Sequence, residues 1–201
     1  RSLPWLLAAL SMIGPFSIDA VFPAFPLVGA RFGVDAAALQ QLVSVYLVTY
    51  AAMSLFHGAI SDAIGRKPVM VAGMLVYALA SVGAATSTSF AMLLACRGLQ
   101  GLCAGAGLVV GRAVIRDSLE GPAAQRLMSQ VMMIFGVAPV VAPMIGALLL
   151  PLGGWHGIFW LLAGFTLLLA LALQLFLDET HPPAQRTRFA PRPLLAGYAS
   201  F

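Results

Sequence analysis

The chain has 201 residues, of which 61% are hydrophobic and 9% charged, with a net charge of +4. An ordinary soluble domain carries about 25% charged residues, so this composition cannot cover a fold with a water-facing surface. The basic residues stand singly or in pairs at the ends of apolar runs, which excludes a nucleic-acid-binding patch and makes a lipid bilayer the surrounding partner.

A hydrocarbon layer takes roughly 20 predominantly apolar residues to cross. In chain order, six segments qualify: residues 3–28, 38–60, 68–86, 90–114, 123–150 and 155–177. The connections are short, so successive spans are expected to be antiparallel neighbours in an all-α membrane bundle. The first span carries Pro4, Gly14, Pro15, Asp19, Pro23 and Pro26. Trp5, Trp155 and Trp160 fall near span ends, where an amphipathic ring prefers to sit. Residues 178–201, with the run HPPAQRTRFAPRP, read as a polar linker. No cleavable signal peptide is evident, and the chain, opening on Arg1 and stopping in a basic segment, reads as a fragment.

Between the second and third spans lies FHGAISDAIGRKPV, residues 56–69. So short a polar turn forces the two spans together and sets Arg66 and Lys67 on one side of the membrane. On that side also fall Arg1, Arg112, Arg116, Arg126, Arg186, Arg188 and Arg192, with Arg31 alone opposite. The imbalance predicts a cytoplasmic N-terminus and a cytoplasmic tail.

The fourth span contains Gly101-xxx-Gly105 and Gly107-xxx-Gly111, spacings that let helices approach closely in lipid. The fifth contains Pro139, Pro143 and Gly146, which suggest a built-in bend. Cys96 and Cys103, seven residues apart within one span, have neither metal nor disulfide-framework spacing and read as packing residues. His57 reads as a capping or interfacial residue, and His156 and His181 fall in loops.

Asp19 is the single carboxylate deep in a span and Arg97 the single base. A charge there costs about 2.5–3.5 kcal/mol on insertion scales, so Asp19 is expected to face a cavity or a partner, or to hold a proton. Along the first span Asp19 lies roughly 22 Å from its start, and Arg97 lies roughly 10 Å into the fourth from the opposite side. Both then reach a similar depth, and the expectation is one shared polar cavity in which they interact directly or through water. A carboxylate that exchanges its proton for a cationic cargo is the minimum equipment for antiport. Further candidates to line the cavity are Tyr46 and Tyr50, four apart on one helix face, with Gln40, Gln41, Gln100 and Gln130.

These residues also carry a resemblance. Gly58-xxx-Asp62-xx-Gly65-Arg66-Lys67 resembles the loop motif of the major facilitator superfamily, and Arg97-Gly98-Leu99-Gln100-Gly101 with Gly105 resembles its fourth-helix motif. Ala138-Pro139-xxx-Pro143-xx-Gly146 is similar to the antiporter motif, with Ala138 in place of the usual glycine before Pro139 and Ala147 in place of a second glycine. Asp19 with Ala24, Phe25 and Pro26 is similar to the first-helix motif of the drug:proton antiporter branch. Residues 111–117 and Glu179-Thr180-His181 are similar to the bicyclomycin/chloramphenicol resistance (Bcr/CflA) subfamily.

The resemblance implies the N-terminal half, six helices, of a twelve-helix transporter whose cavity lies between two halves. It implies proton-coupled export of small amphipathic or cationic drugs across a bacterial inner membrane, with protons as the coupling ion and no other cofactor. Asp62 would pair with Arg112 or a helix end in a cytoplasmic gate, Arg66 and Lys67 would hold acidic or carbonyl partners, and Gly58 and Gly65 would permit the close turn. Arg97 would tune the protonation of Asp19. Two alternatives remain: a transporter of a metabolite such as a sugar or amino acid, which would not need Asp19, and a truncated, non-functional half. An enzyme lacks support, because no span pairs a nucleophile with a base. A receptor lacks a lysine or other ligand anchor in its spans.

Overall fold

The computed structural model describes residues 3–186. Arg1, Arg188 and Arg192, part of the charge asymmetry above, lie outside the described residues, as does most of the expected linker. The first span is broken: α1 (Leu3–Asp19) is followed by a single 3₁₀ turn (Phe22–Ala24) and then α2 (Phe25–Phe32). Pro23 and Pro26 lack the N–H groups that a continuous helix would use here, so the ladder ends at Asp19 and restarts beyond it.

Gly33 closes α2 in the left-handed conformation at φ 65°. The Asp35 side chain then caps α3 (Ala36–Ile64), accepting from the Ala38 N–H at 2.8 Å. After Gly65 comes α4 (Arg66–Ala85). Ser89 caps α5 (Phe90–Gly105), which continues through a π-helical turn (Ala106–Val110) into α6 (Gly111–Ser118). These helices outrun the apolar segments by several residues, because hydropathy marks where lipid begins whereas the backbone ladder continues into the polar turns.

The last α-helix, α7 (Gly121–Phe176), is 56 residues long and non-helical at Gly154, φ 57° and ψ −158°. Its two limbs, 121–153 and 155–176, travel in opposite directions. Along the first, Gln130 and Ile134 lie by Pro4 and Ala8, and Gly146 lies against Ala20. Along the second, His156 sits at the Ala85 end of α4 and Gln174 at the Lys67 end. A left-handed dihedral that only glycine adopts freely makes this reversal possible. Pro139 and Pro143 lie inside the first limb, whose dihedrals stay helical up to Gly154.

Packing places α1 against α7, α3 against α5 and α4 against both α5 and α7. The small residues set these distances. A Cβ at Gly101 would collide with the Tyr46 carbonyl and Thr49 Oγ1 of α3, and one at Gly107 would lie 2.7 Å from the Leu10 carbonyl of α1. The stripe Ala138, Ala142 and Gly146 is buried, with Gly146 against the Ala20 carbonyl at the break in the first span. The outward faces, among them Leu47, Val48, Leu79, Met133, Val140, Met144 and Leu168, are exposed and apolar. The five long helices are all apolar enough to cross a bilayer, the signature of a multi-pass membrane protein.

Candidate functional site

Near the break at Asp19, a buried polar cluster joins α1, α3, α4 and α5. Arg97 is fully buried there. Its Nε donates to the Leu42 carbonyl at 3.1 Å, and its Nη1 donates to Ser17 Oγ and Gln100 Oε1, each at 2.9 Å. Its guanidinium lies 4.4 Å from the centre of the Tyr46 ring, a desolvated cation–π contact. Gln100 Nε2 donates to Ser81 Oγ at 2.7 Å, and Ser81 Oγ donates to the Tyr77 carbonyl at 2.8 Å. Two buried polar atoms of this cluster, Arg97 Nη2 and Tyr77 OH, have no hydrogen-bond partner among the described residues.

Asp19 is half-buried and faces a cavity of about 250 Å³ lined by Gly14, Pro15, Ile18, Tyr46, Leu47, Tyr50 and Phe135. It forms no ion pair with Arg97 among the described residues. Of the expected interaction, directly or through water, the direct form is absent: Ser17, not Asp19, takes the guanidinium. The reason is helical geometry, since residues two apart are turned about 200° from each other. Tyr46 forms the partition. One side of it meets Arg97, and it also lines the Asp19 cavity, its ring stacked on Tyr50 at 6.4 Å and 12°. Gln130 is exposed and belongs to a separate groove with Pro4, Trp5, Ala8, Met133 and Ile134. Gln40 and Gln41 are also exposed.

A second cluster surrounds the turn at Gly65. Arg66, 6% exposed, sits between two carboxylates: Asp62 at 2.6 Å and Asp117 at 3.0 Å. Asp62 thus pairs with Arg66, four residues on across the Gly65 turn, and not with Arg112, whose exposed side chain reaches Met132 Sδ at 3.6 Å. Lys67 Nζ donates to the Gln174 carbonyl at 2.9 Å, and the Arg66 N–H donates to Glu179 at 3.0 Å.

The role expected for Gly58 is also corrected. It lies inside α3, well before the turn, and a Cβ there meets nothing within 4 Å. Gly65 makes the turn at φ 116° and ψ 155°, and a Cβ there would collide with the Glu179 carboxylate. Gly65→Ala is expected to cost about 1–3 kcal/mol from backbone strain, with Gly58→Ala unchanged or slightly more stable; thermal unfolding of the two purified variants checks this. His57 is buried near the C-terminal end of α3, and its Nδ1 has no partner among the described residues.

Several of these residues are absent from the reading of the sequence. Tyr77 and Ser81 share a face of α4 at the spacing that singled out Tyr46 and Tyr50, so that signal was available. Ser17 and the Leu42 carbonyl had none, being an ordinary hydroxyl and a backbone group.

Residues 7–200 match the Major Facilitator Superfamily. The uncharacterized MFS-type transporter YdgK of Bacillus subtilis (strain 168) is 38% identical over 187 residues, 92% of this chain and 46% of that protein. Multidrug resistance protein MdtL of Escherichia coli O45:K1 is 35% identical over 184 residues, 92% of this chain and 47% of that protein. The chain spans about half the length of these curated relatives. Among solved structures, that of the human organic anion transporter MFSD10 (TETRAN) superposes with a TM-score of 0.66 at 26% identity, covering 92% of this chain and 48% of that one. Sequence and fold agree over nearly all of its length: the chain belongs to the Major Facilitator Superfamily, a family of membrane transporters and not of enzymes.

Proposed function

We propose that this chain is the N-terminal six-helix half of a twelve-helix, proton-coupled antiporter that exports small amphipathic or cationic drugs across a bacterial inner membrane. In this reading residues 1–177 form the bundle, the two limbs of α7 counting as separate crossings, and residues 178–201 begin the central linker. The Lys/Arg asymmetry supports a cytoplasmic location for the Gly65 turn and the tail. The likeness to MdtL, whose name is that of a multidrug resistance protein, supports drug export. The half-length match to the relatives supports a missing second half.

The observation that carries the reading is Asp19. Its carboxylate stands at the C-terminal end of α1, where the helix dipole is negative, and Pro23 has no N–H to offer the neighbouring Asp19 carbonyl. A carboxylate so placed attracts a proton or a cation. A cationic cargo entering the cavity competes with the proton for that site, while the half-buried Tyr50 ring offers it aromatic contact. The cavity of about 250 Å³ falls below the roughly 300–1,000 Å³ usual for a drug-sized ligand, as expected where the opposing wall comes from a second half.

The test is Asp19→Asn in the full chain, together with its second half, in proteoliposomes. Drug-driven proton movement should be abolished while the protein stays folded. Proton movement equal to that of the parent would remove Asp19 from coupling and with it the antiport reading.

A further inference from the structure

The N-terminus of α4 and the C-terminus of α7 cap each other. The N-cap position of α4 is Gly65, which has no side chain to offer, so the first N–H groups of this helix need acceptors from elsewhere. Glu179, distant in sequence, supplies one: its Oε1 accepts from the Arg66 N–H at 3.0 Å and from the His181 N–H at 2.9 Å. A carboxylate at a helix N-terminus also meets the positive end of its dipole. In return Lys67 Nζ donates at 2.9 Å to the carbonyl of Gln174, one of the last four of α7, which have no acceptor role left within the helix.

Around this exchange Thr180 Oγ1 donates to Asp117 Oδ2 at 3.4 Å, on the same oxygen that holds Arg66 Nε. Arg186 lies 3.9 Å from Glu179 Oε2. The carboxylate fills the space that any side chain at position 65 would need.

We propose that Glu179 is a positioning residue for the 62–67 turn, and that residues 178–186 act as a strap tying that turn to the end of the last helix. The turn and the start of the tail then move as one unit. The inference rests on the resemblance of residues 58–67 to a superfamily loop motif, which implies that this turn acts as the cytoplasmic gate. Its consequence is that a gate displacement must either carry the strap along or break the reciprocal caps.

Hydrogen exchange of the chain in lipid nanodiscs tests the capping without any transport, so its failure is distinguishable from failure of the antiport reading. Glu179→Ala should speed exchange of the first-turn amides of α4 about fivefold, the usual effect of losing a cap, and leave α5 unchanged. Glu179→Gln, which keeps an acceptor in place, should restore part of the protection. Spin labels at positions 63 and 184 should give one narrow distance distribution in the parent and a broad one in the Glu179→Ala, Lys67→Met double variant. Unchanged exchange in Glu179→Ala, equal acceleration throughout the bundle, or an unaltered distance distribution would each overturn the proposal.

Discussion

Gly101→Val should prevent the bundle from assembling. At this position a Cβ would overlap both the Tyr46 carbonyl and Thr49 Oγ1. The first is backbone and cannot rotate away, so α3 and α5 must separate or shift along each other. The same contact seats Tyr46 beneath Arg97 and frames the Leu42 carbonyl that Arg97 uses, so relief of the clash also disturbs the buried polar cluster. Overpacking of this kind costs about 1–3 kcal/mol, and more where backbone is struck. The upper part of that range is expected, as loss of the monodisperse peak in size-exclusion chromatography and a large fall in unfolding temperature. Gly58→Ala, in open space, is the matched control and should behave like the parent. A Gly101→Val protein as stable as the parent would mean that α3 and α5 do not meet at this distance.

On the antiport reading proposed above, Arg97→Lys should fold and couple only weakly. Lysine keeps the positive charge but concentrates it at one point on a flexible stem, without the planar fork. One ammonium cannot reach the Leu42 carbonyl, Ser17 Oγ and Gln100 Oε1 together while lying flat on Tyr46. Hydrogen bonds to a charged group contribute about 1.5–3 kcal/mol each. Loss of one or two corresponds to on the order of a hundredfold in an equilibrium. Because Tyr46 stands between Arg97 and the Asp19 cavity, the expected effect is on how the cavity holds its proton: drug-driven proton movement should fall by about that factor. A monodisperse size-exclusion peak and a cooperative unfolding transition, lowered but present, separate this from collapse of the fold. Full coupling in Arg97→Lys would make the arginine a purely structural residue.

Much of the architecture can be read from the residues alone, for reasons particular to membranes. Hydrocarbon demands long apolar runs, so the spans announce themselves. The turn at Gly65 is legible because polar residues between two such runs have nowhere to go but the surface. Asp19 and Arg97 are legible as candidates because charge at that depth is costly and therefore rare. The break in the first span could have been placed from Pro23 and Pro26, whose missing N–H groups are a local, covalent fact.

Partner choice was not legible in this way. Depth arithmetic brought Asp19 and Arg97 to one level, but it carries no information about azimuth, and a rotation of two residues put Ser17 on the guanidinium and Asp19 on the cavity. Asp62 met Arg66 and left Arg112 exposed, because the tight turn at Gly65 brings these two close neighbours in sequence together by itself. Glu179 became a cap only once the last helix had been folded back alongside α4. The amino-acid sequence thus determined by itself which segments lie in lipid, where the chain turns and which charges are stranded there, since each follows from transfer free energy and local backbone chemistry. The tertiary structure decided which stranded charge meets which polar group, since that depends on helix rotation and close approach, fixed by glycine and alanine contacts between elements distant in sequence.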